Sequence, residues 1–224
     1  MLHALGPDRV RDPGEEVCGG APAFTGDEIH LLTSMLGKSL RSPLTSSMGR
    51  LFDAVASLLG LCQRSEYEGQ AGLRLEAAAR SYPHAAQPYP FDVREVDGGF
   101  LRWIGGGWLR PCAARCRGAG EKSRAGARRA QGGEEPGWCP AGPAGRVAAC
   151  FHRTLAEMVL LVALRTQASI VALTGGCFQN RLLTEWTANR LATHSIRVYL
   201  HEQVPPNDGG LAYGQLAFAA GRKD

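Results

Sequence analysis

The chain has 224 residues with a net charge of +4; 44% are hydrophobic and 21% charged, and it holds 29 Gly and 13 Pro. That length admits one large domain or a domain and a part, and the composition excludes a low-complexity or wholly disordered chain. The excess positive charge is local: between Arg110 and Glu135 seven bases stand against three acids, so the net charge implies no basic groove elsewhere.

Four zones follow one another: an irregular segment 1–26, a helical part 27–102, an irregular Gly/Arg/Ala-rich insert 103–146, and an orderly α/β part 147–224. The first zone lacks the apolar core of a secretion signal. No run of about 18 apolar residues occurs anywhere, so no membrane association is expected. Seven Cys, an odd number without a regular framework, fit reduced thiols and a cytoplasmic location.

In the second zone Leu51, Phe52, Val55, Leu58 and Leu59 form one apolar stripe at helical spacing. Ser46 or Ser47 can cap that helix and Gly60 can end it. A second, Ala/Leu-rich helix is expected from about Ala71 to Arg80, then strand-like pieces in SYPHAAQPYPFDVREVDGGFLRW. The insert that follows has no sustained period. Its Cys112, Cys116 and Cys139, with Cys150 beyond, match zinc spacing poorly. Its basic run lacks the interleaved aromatics of a nucleic-acid reader, so no nucleic-acid partner is expected.

The last zone reads as a helix carrying Val147, Phe151, Leu155, Met158 and Val162 on one side, then a strand over 169–174. A helix from Asn180 to about His194 buries Leu182, Leu183, Trp186 and Leu191; a strand over 196–200 and a small-residue helix complete it. Helices alternating with short apolar strands indicate a parallel α/β layer. Such layers place ligand sites in loops at the carboxyl ends of their strands, where LTGGCFQN and PPNDGG both fall.

Gly175-Gly176 can bring bare backbone N–H groups and a helix N-terminus to an anion such as a phosphate, and Asn180 can offer an amide. The same glycines also make an ordinary tight turn. Asp208 suits a divalent cation or a water beside a phosphate chain, or alternatively the N-cap of the last helix. Asp53 lies beside its helix's apolar stripe, with Glu68 and Gly69 downstream; a ribose contact or a solvated flank would suit that carboxylate. Cys177 beside the Gly pair reads as a small buried hydrophobe or a ligand contact, and His152 as a packed or capping residue. No catalytic residue is singled out.

Taken together, TSSMGRLFDAVASLLGLC, YEGQAGLRLEAAA, FHRTLAE, LTGGCFQNRLL and VPPNDGGLAYGQLAFAA resemble, in that order, the C-terminal part of the HypF-type carbamoyltransferases of [NiFe]-hydrogenase maturation. The resemblance covers about residues 27–95 and 147–222. It implies the second half of an ASKHA (actin/Hsp70-like) α/β domain, with parallel strands and packed helices, here incomplete. It also implies carbamoyl adenylate formation from carbamoyl phosphate and ATP, and carbamoyl transfer to the C-terminal cysteine of a hydrogenase maturation protein, on the way to the cyanide ligand of the NiFe centre. By resemblance Gly175, Gly176 and Asn180 would line the nucleotide, Asp53, Glu68 and Gly69 would face its ribose or adenosine, and Asp208 would complete a divalent metal site (Fe, Zn or Mg).

The family's HHxAH-type histidine pair, which binds that metal, has no counterpart in this sequence, and residues 103–146 depart from the family as an insertion or a frameshifted stretch would. Activity is therefore expected to depend on parts outside this chain. The rival expectations are an inactive remnant or partner-binding module of the same family, and a threonylcarbamoyl-tRNA or O-carbamoyltransferase-like enzyme.

Overall fold

The computed structural model describes residues 24–43, 45–82, 87–96, 100–104 and 143–221. Most of the N-terminal segment, the basic run 110–135 and Cys112, Cys116 and Cys139 lie outside the described residues. The chain divides into two units, Met1–Ala85 with Gly105–Ala148, and Ala86–Ile104 with Ala149–Asp224.

In the first unit α1 (Gly26–Gly37) starts at a capping box: Thr25 Oγ1 accepts from Glu28 N–H, and Glu28 Oε2 accepts from Thr25 N–H at 2.7 Å. α2 (Met48–Leu58) is capped by Ser47, whose Oγ accepts from Arg50 N–H. Its stripe buries Phe52, Val55, Ala56 and Leu59, while Leu51 and Leu58 stay half-buried. Gly60, at φ 69°, ends the turn in the left-handed region that glycine adopts without strain. α3 (Gln70–Arg80) meets α2 where a Cβ on Gly72 would lie 3.9 Å from the Phe52 ring. Its buried Glu76 pairs with Arg80 at 2.6 Å.

The second unit opens with the antiparallel hairpin β1 (Asp92–Val96) and β2 (Phe100–Ile104), Arg94 opposite Arg102. β2 thus extends into the stretch read as irregular. α4 (Pro143–Arg165), whose first turns belong to the first unit, begins a few residues before the expected start. Tyr89 N–H donates to Thr154 Oγ1, which in turn donates to the Cys150 carbonyl, both at 2.7 Å. Arg165 Nη1 donates to the Val93 carbonyl. These bonds hold the hairpin side of the unit to α4.

The expected stripe on α4 holds only over its first half. Val147, Phe151 and Leu155 are buried, but Met158 is half-buried and Val162 is 38% exposed. The face buried along the whole helix is the adjoining one, Ala148, His152, Ala156, Leu160 and Ala163. Among the described residues α4 alone has the length and mean hydropathy (1.7) of a bilayer span, and 67% of that window is buried within the protein. Its apolarity is accounted for by that burial.

β3 (Ile170–Ala172) and β4 (Arg197–Tyr199) pair in parallel, Val171 opposite Val198. The crossover between them contains α5 (Arg181–Ala192), whose Leu182, Leu183, Trp186 and Leu191 are buried as expected. One face of this strand pair packs Leu173 and Ile196 with Leu160, Ala163 and Leu191; Glu157 on α4 and Arg190 on α5 clamp the rim at 2.5 Å. The other face is open: Ile170 is 52% and Tyr199 53% exposed. The last helix, α6 (Leu211–Gly221), buries nothing. A helix apolar on all sides is ordinarily an interior one, so the described part is an incomplete α/β arrangement.

Replacing Leu191, fully buried in this cluster, by Ala is expected to cost about 2–5 kcal/mol in urea unfolding. Leu216→Ala on exposed α6 should shift the same curve by less than about 0.5 kcal/mol.

Candidate functional site

β3 and β4 deliver their carboxyl ends side by side, and the turns leaving them touch. Gly175 N–H donates to the Pro206 carbonyl at 2.7 Å, joining the Gly-Gly turn to the PPNDGG loop. Gly175 sits at φ 98°, ψ 155°, a conformation that side chains strongly disfavour. Across the same edge His201 Nε2 and Thr174 Oγ1 share a hydrogen bond at 3.0 Å. Between the two turns and α6 lies a cavity of about 520 Å³. Thr174, Gly175, His201 and Asp208 line it, with Leu211 and Phe218 supplying an apolar wall.

The PPNDGG loop is held by its asparagine. Asn207 Oδ1 accepts from Gly209 N–H at 3.1 Å, and the Asn207 carbonyl accepts from Gly210 N–H at 2.9 Å. Asn207 thereby caps the 3-10 turn Asp208–Gly210 that leads into α6, and the Asp208 side chain makes no cap bond among the described residues. The Asp208 side chain is left exposed, with no hydrogen-bond partner among the described residues, which frees its carboxylate for a ligand. Gly210 is required sterically: a Cβ there would fall 2.8 Å from the Pro205 carbonyl oxygen and 2.9 Å from Val204 Cγ1.

Gly176 opens a 3-10 turn (Gly176–Gln179) between the Gly pair and α5; it is exposed, a Cβ on it would meet nothing within 4 Å, and it does not line the cavity. Asn180 is buried and caps α5, its Oδ1 accepting from Leu183 N–H at 2.9 Å. Its Nδ2 lies 2.9 Å from Nε2 of His152, which is fully buried. The Asn180 amide is spent inside the protein, not at the cavity wall. His152 is packed, edge-on to Phe151 and Trp186. Cys177 is half-buried, and burial pushes its thiol pKa up, a poor setting for a nucleophile.

Asp53, Glu68 and Gly69 belong to the first unit. Asp53 pairs at 3.5 Å with Arg50, both partly exposed, the arrangement of a solvated helix flank. Glu68 is exposed, and Gly69, at φ 81°, is the left-handed residue that starts α3. His201 was not anticipated as a site residue; its place two residues past the end of β4 was the available signal.

The described residues do not fit a resident iron or zinc site, which takes three or four protein ligands. Among the described residues no group of three His, Cys, Asp or Glu side chains converges. Asp208 contributes one carboxylate.

Strand ends, glycine turns and cavity lie together where parallel α/β domains ordinarily place their ligand sites. The family described as carbamoyltransferase, Kae1-like domain, second subdomain, matches residues 11–128 and 139–215. The chain belongs to this family. The match runs through 103–128, much of the stretch that sequence reading set apart. Carbamoyltransferase HypF2 of Cupriavidus necator is 35% identical over 229 residues, 99% of this chain and 26% of the relative. A HypF homologue of the same organism is 35% identical over 98% of this chain and 50% of its own length. A crystal structure of full-length HypF in the phosphate- and nucleotide-bound form superimposes with a TM-score of 0.66 at 27% identity, over 88% of this chain and 23% of that one. The chain therefore spans a quarter to a half of the length of these relatives.

Gly210→Ala must displace the Pro205 carbonyl and is expected to loosen the neighbouring turn-to-turn bond, read as faster hydrogen exchange at the Gly175 amide. Gly176→Ala, with open space around it, should leave that exchange rate unchanged.

Proposed function

We propose that this chain supplies the nucleotide-facing second half of a HypF-type carbamoyltransferase domain of ASKHA fold, acting in hydrogenase maturation. The full reaction would form carbamoyl adenylate from carbamoyl phosphate and ATP. It would then pass the carbamoyl group to the C-terminal cysteine thiolate of a maturation protein, where dehydration gives the cyanide ligand. The observation that carries this reading is the Gly175–Pro206 bond, which holds two glycine turns around one cavity at the carboxyl edge of parallel strands. The likeness to a HypF solved with phosphate and nucleotide supports the same assignment.

In this reading the chain's own residues position and enclose rather than react. Gly175 lets the backbone pass close to the ligand, Asp208 presents a carboxylate, and Leu211 and Phe218 offer an apolar wall to a base or ribose face. Fixing a mixed anhydride against its acceptor is a large share of such catalysis. Asp53, Glu68 and Gly69 are retained as adenosine-side contacts of the complete enzyme. A divalent metal would need ligands beyond Asp208, and no step is assigned to it. Free thiols at Cys62, Cys150 and Cys177 support a reducing, cytoplasmic setting.

The second reading, an inactive or partner-binding module, draws on α6, where Leu216 is 71% and Phe218 70% exposed. Contiguous exposed apolar surface marks a site that something else covers.

One variant separates the two readings. Gly214 lines the cavity, and a Cβ on it would meet nothing within 4 Å. Gly214→Trp should fill the cavity without harming α6, since glycine is a poor helix former. On the carbamoyltransferase reading, ATP affinity measured by calorimetry falls at least about tenfold, roughly the 1.4 kcal/mol of one lost contact, with the melting temperature unchanged. Folded wild-type chain without ATP affinity would favour the partner-binding module.

A further inference from the structure

Three of the four glycine amides in these two turns are already engaged, and the fourth, Gly176, does not line the cavity. Gly175 N–H is taken by the Pro206 carbonyl, Gly209 N–H by Asn207 Oδ1 and Gly210 N–H by the Asn207 carbonyl. The Asn180 amide is buried against His152 and the start of α5. An anion entering the cavity therefore does not find the free glycine amides of a phosphate-binding loop, and it meets the Asp208 carboxylate, which repels it. Something else at the wall has to supply a donor and a charge.

Of the side chains that line the cavity, His201 alone can become positively charged. One ring nitrogen, Nε2, is anchored on Thr174 Oγ1 at 3.0 Å. The other, Nδ1, has no partner among the described residues, and the ring is exposed. The anchor matters because Thr174 directly precedes Gly175: one hydrogen bond fixes the imidazole beside the turn that is itself fixed to Pro206. Protonated, the ring donates from Nε2 to Thr174 Oγ1 and keeps Nδ1–H for an anion, a charge-assisted contact of the stronger kind.

We infer that His201, oriented by Thr174, is the anion-binding residue of this cavity, and that the ligand group it meets is a phosphate or phosphate ester. The inference rests on the nucleotide reading for the identity of the natural ligand, but its chemistry concerns the phosphate alone.

The test uses the full 224-residue chain with inorganic phosphate, adenosine and ATP as probes, following the His201 ring resonances by NMR and affinity by calorimetry. Phosphate and ATP should both shift the ring signals. His201→Gln, which keeps a hydrogen-bonding group for Thr174 but no charge, should weaken both by about tenfold and leave adenosine unaffected. His201→Lys should restore phosphate affinity. Equal ATP binding by wild type and His201→Gln would overturn the assignment while leaving the nucleotide reading intact. Phosphate shifting the ring while ATP binds no better than phosphate would uphold His201 and remove the nucleotide. If neither phosphate nor ATP moves the ring, the assignment is wrong.

Discussion

A backbone hydrogen bond between residues 31 positions apart, from the Gly175 amide to the Pro206 carbonyl at 2.7 Å, is the constraint on which the cavity depends. It is available because β3 and β4 run parallel and end at the same edge, so the loops that leave them emerge together. It is permitted because residue 175 can take φ 98° only at low cost as glycine. The loop on the other side is braced to receive it: Asn207 holds Gly209 and Gly210, and Gly210 leaves room for the Pro205 carbonyl. The His201–Thr174 hydrogen bond is a second link across the same edge.

The same economy explains which atoms are left for a ligand. The Gly175 amide joins the loops, the Gly209 and Gly210 amides brace the second of them on Asn207, and Asn180 closes the start of α5. The side chains of Asp208, His201 and Gln215 remain at the cavity lining.

Much of the α/β half was legible because its signals are local. Parallel order followed from apolar strands alternating with helices, and the buried side of α5 from the spacing of Leu182, Leu183, Trp186 and Leu191. The convergence of the two glycine turns followed from their position after strands. Partner choice was not legible. Asp208 reads as one possible cap of the last helix, whereas a 3-10 turn capped by Asn207 comes before that helix. Asn180 reads as a ligand amide until His152, 28 positions earlier, is seen packed against it. His201 carries no motif; it gains meaning from Thr174, which a parallel register brings alongside. On α4 the face buried end to end holds Ala148, His152, Ala156, Leu160 and Ala163, small and polar residues that a stripe of large apolar side chains passes over. In SIVALT the apolar residues alternate between a packed face and an exposed one, with Leu173 buried and Ile170 52% exposed. That openness and the uncovered α6 belong with a chain that spans a quarter of the HypF2 it resembles.

The most direct test of the account is a residue-resolved NMR titration of the chain with ATP, following the amides of Thr174, Gly175, Asp208 and Gly209 together. If the joined turns form one nucleotide mouth, signals from both loops move and saturate along a single binding curve. Movement confined to one loop, two unrelated curves, or a response only in surface residues of the first unit would contradict it.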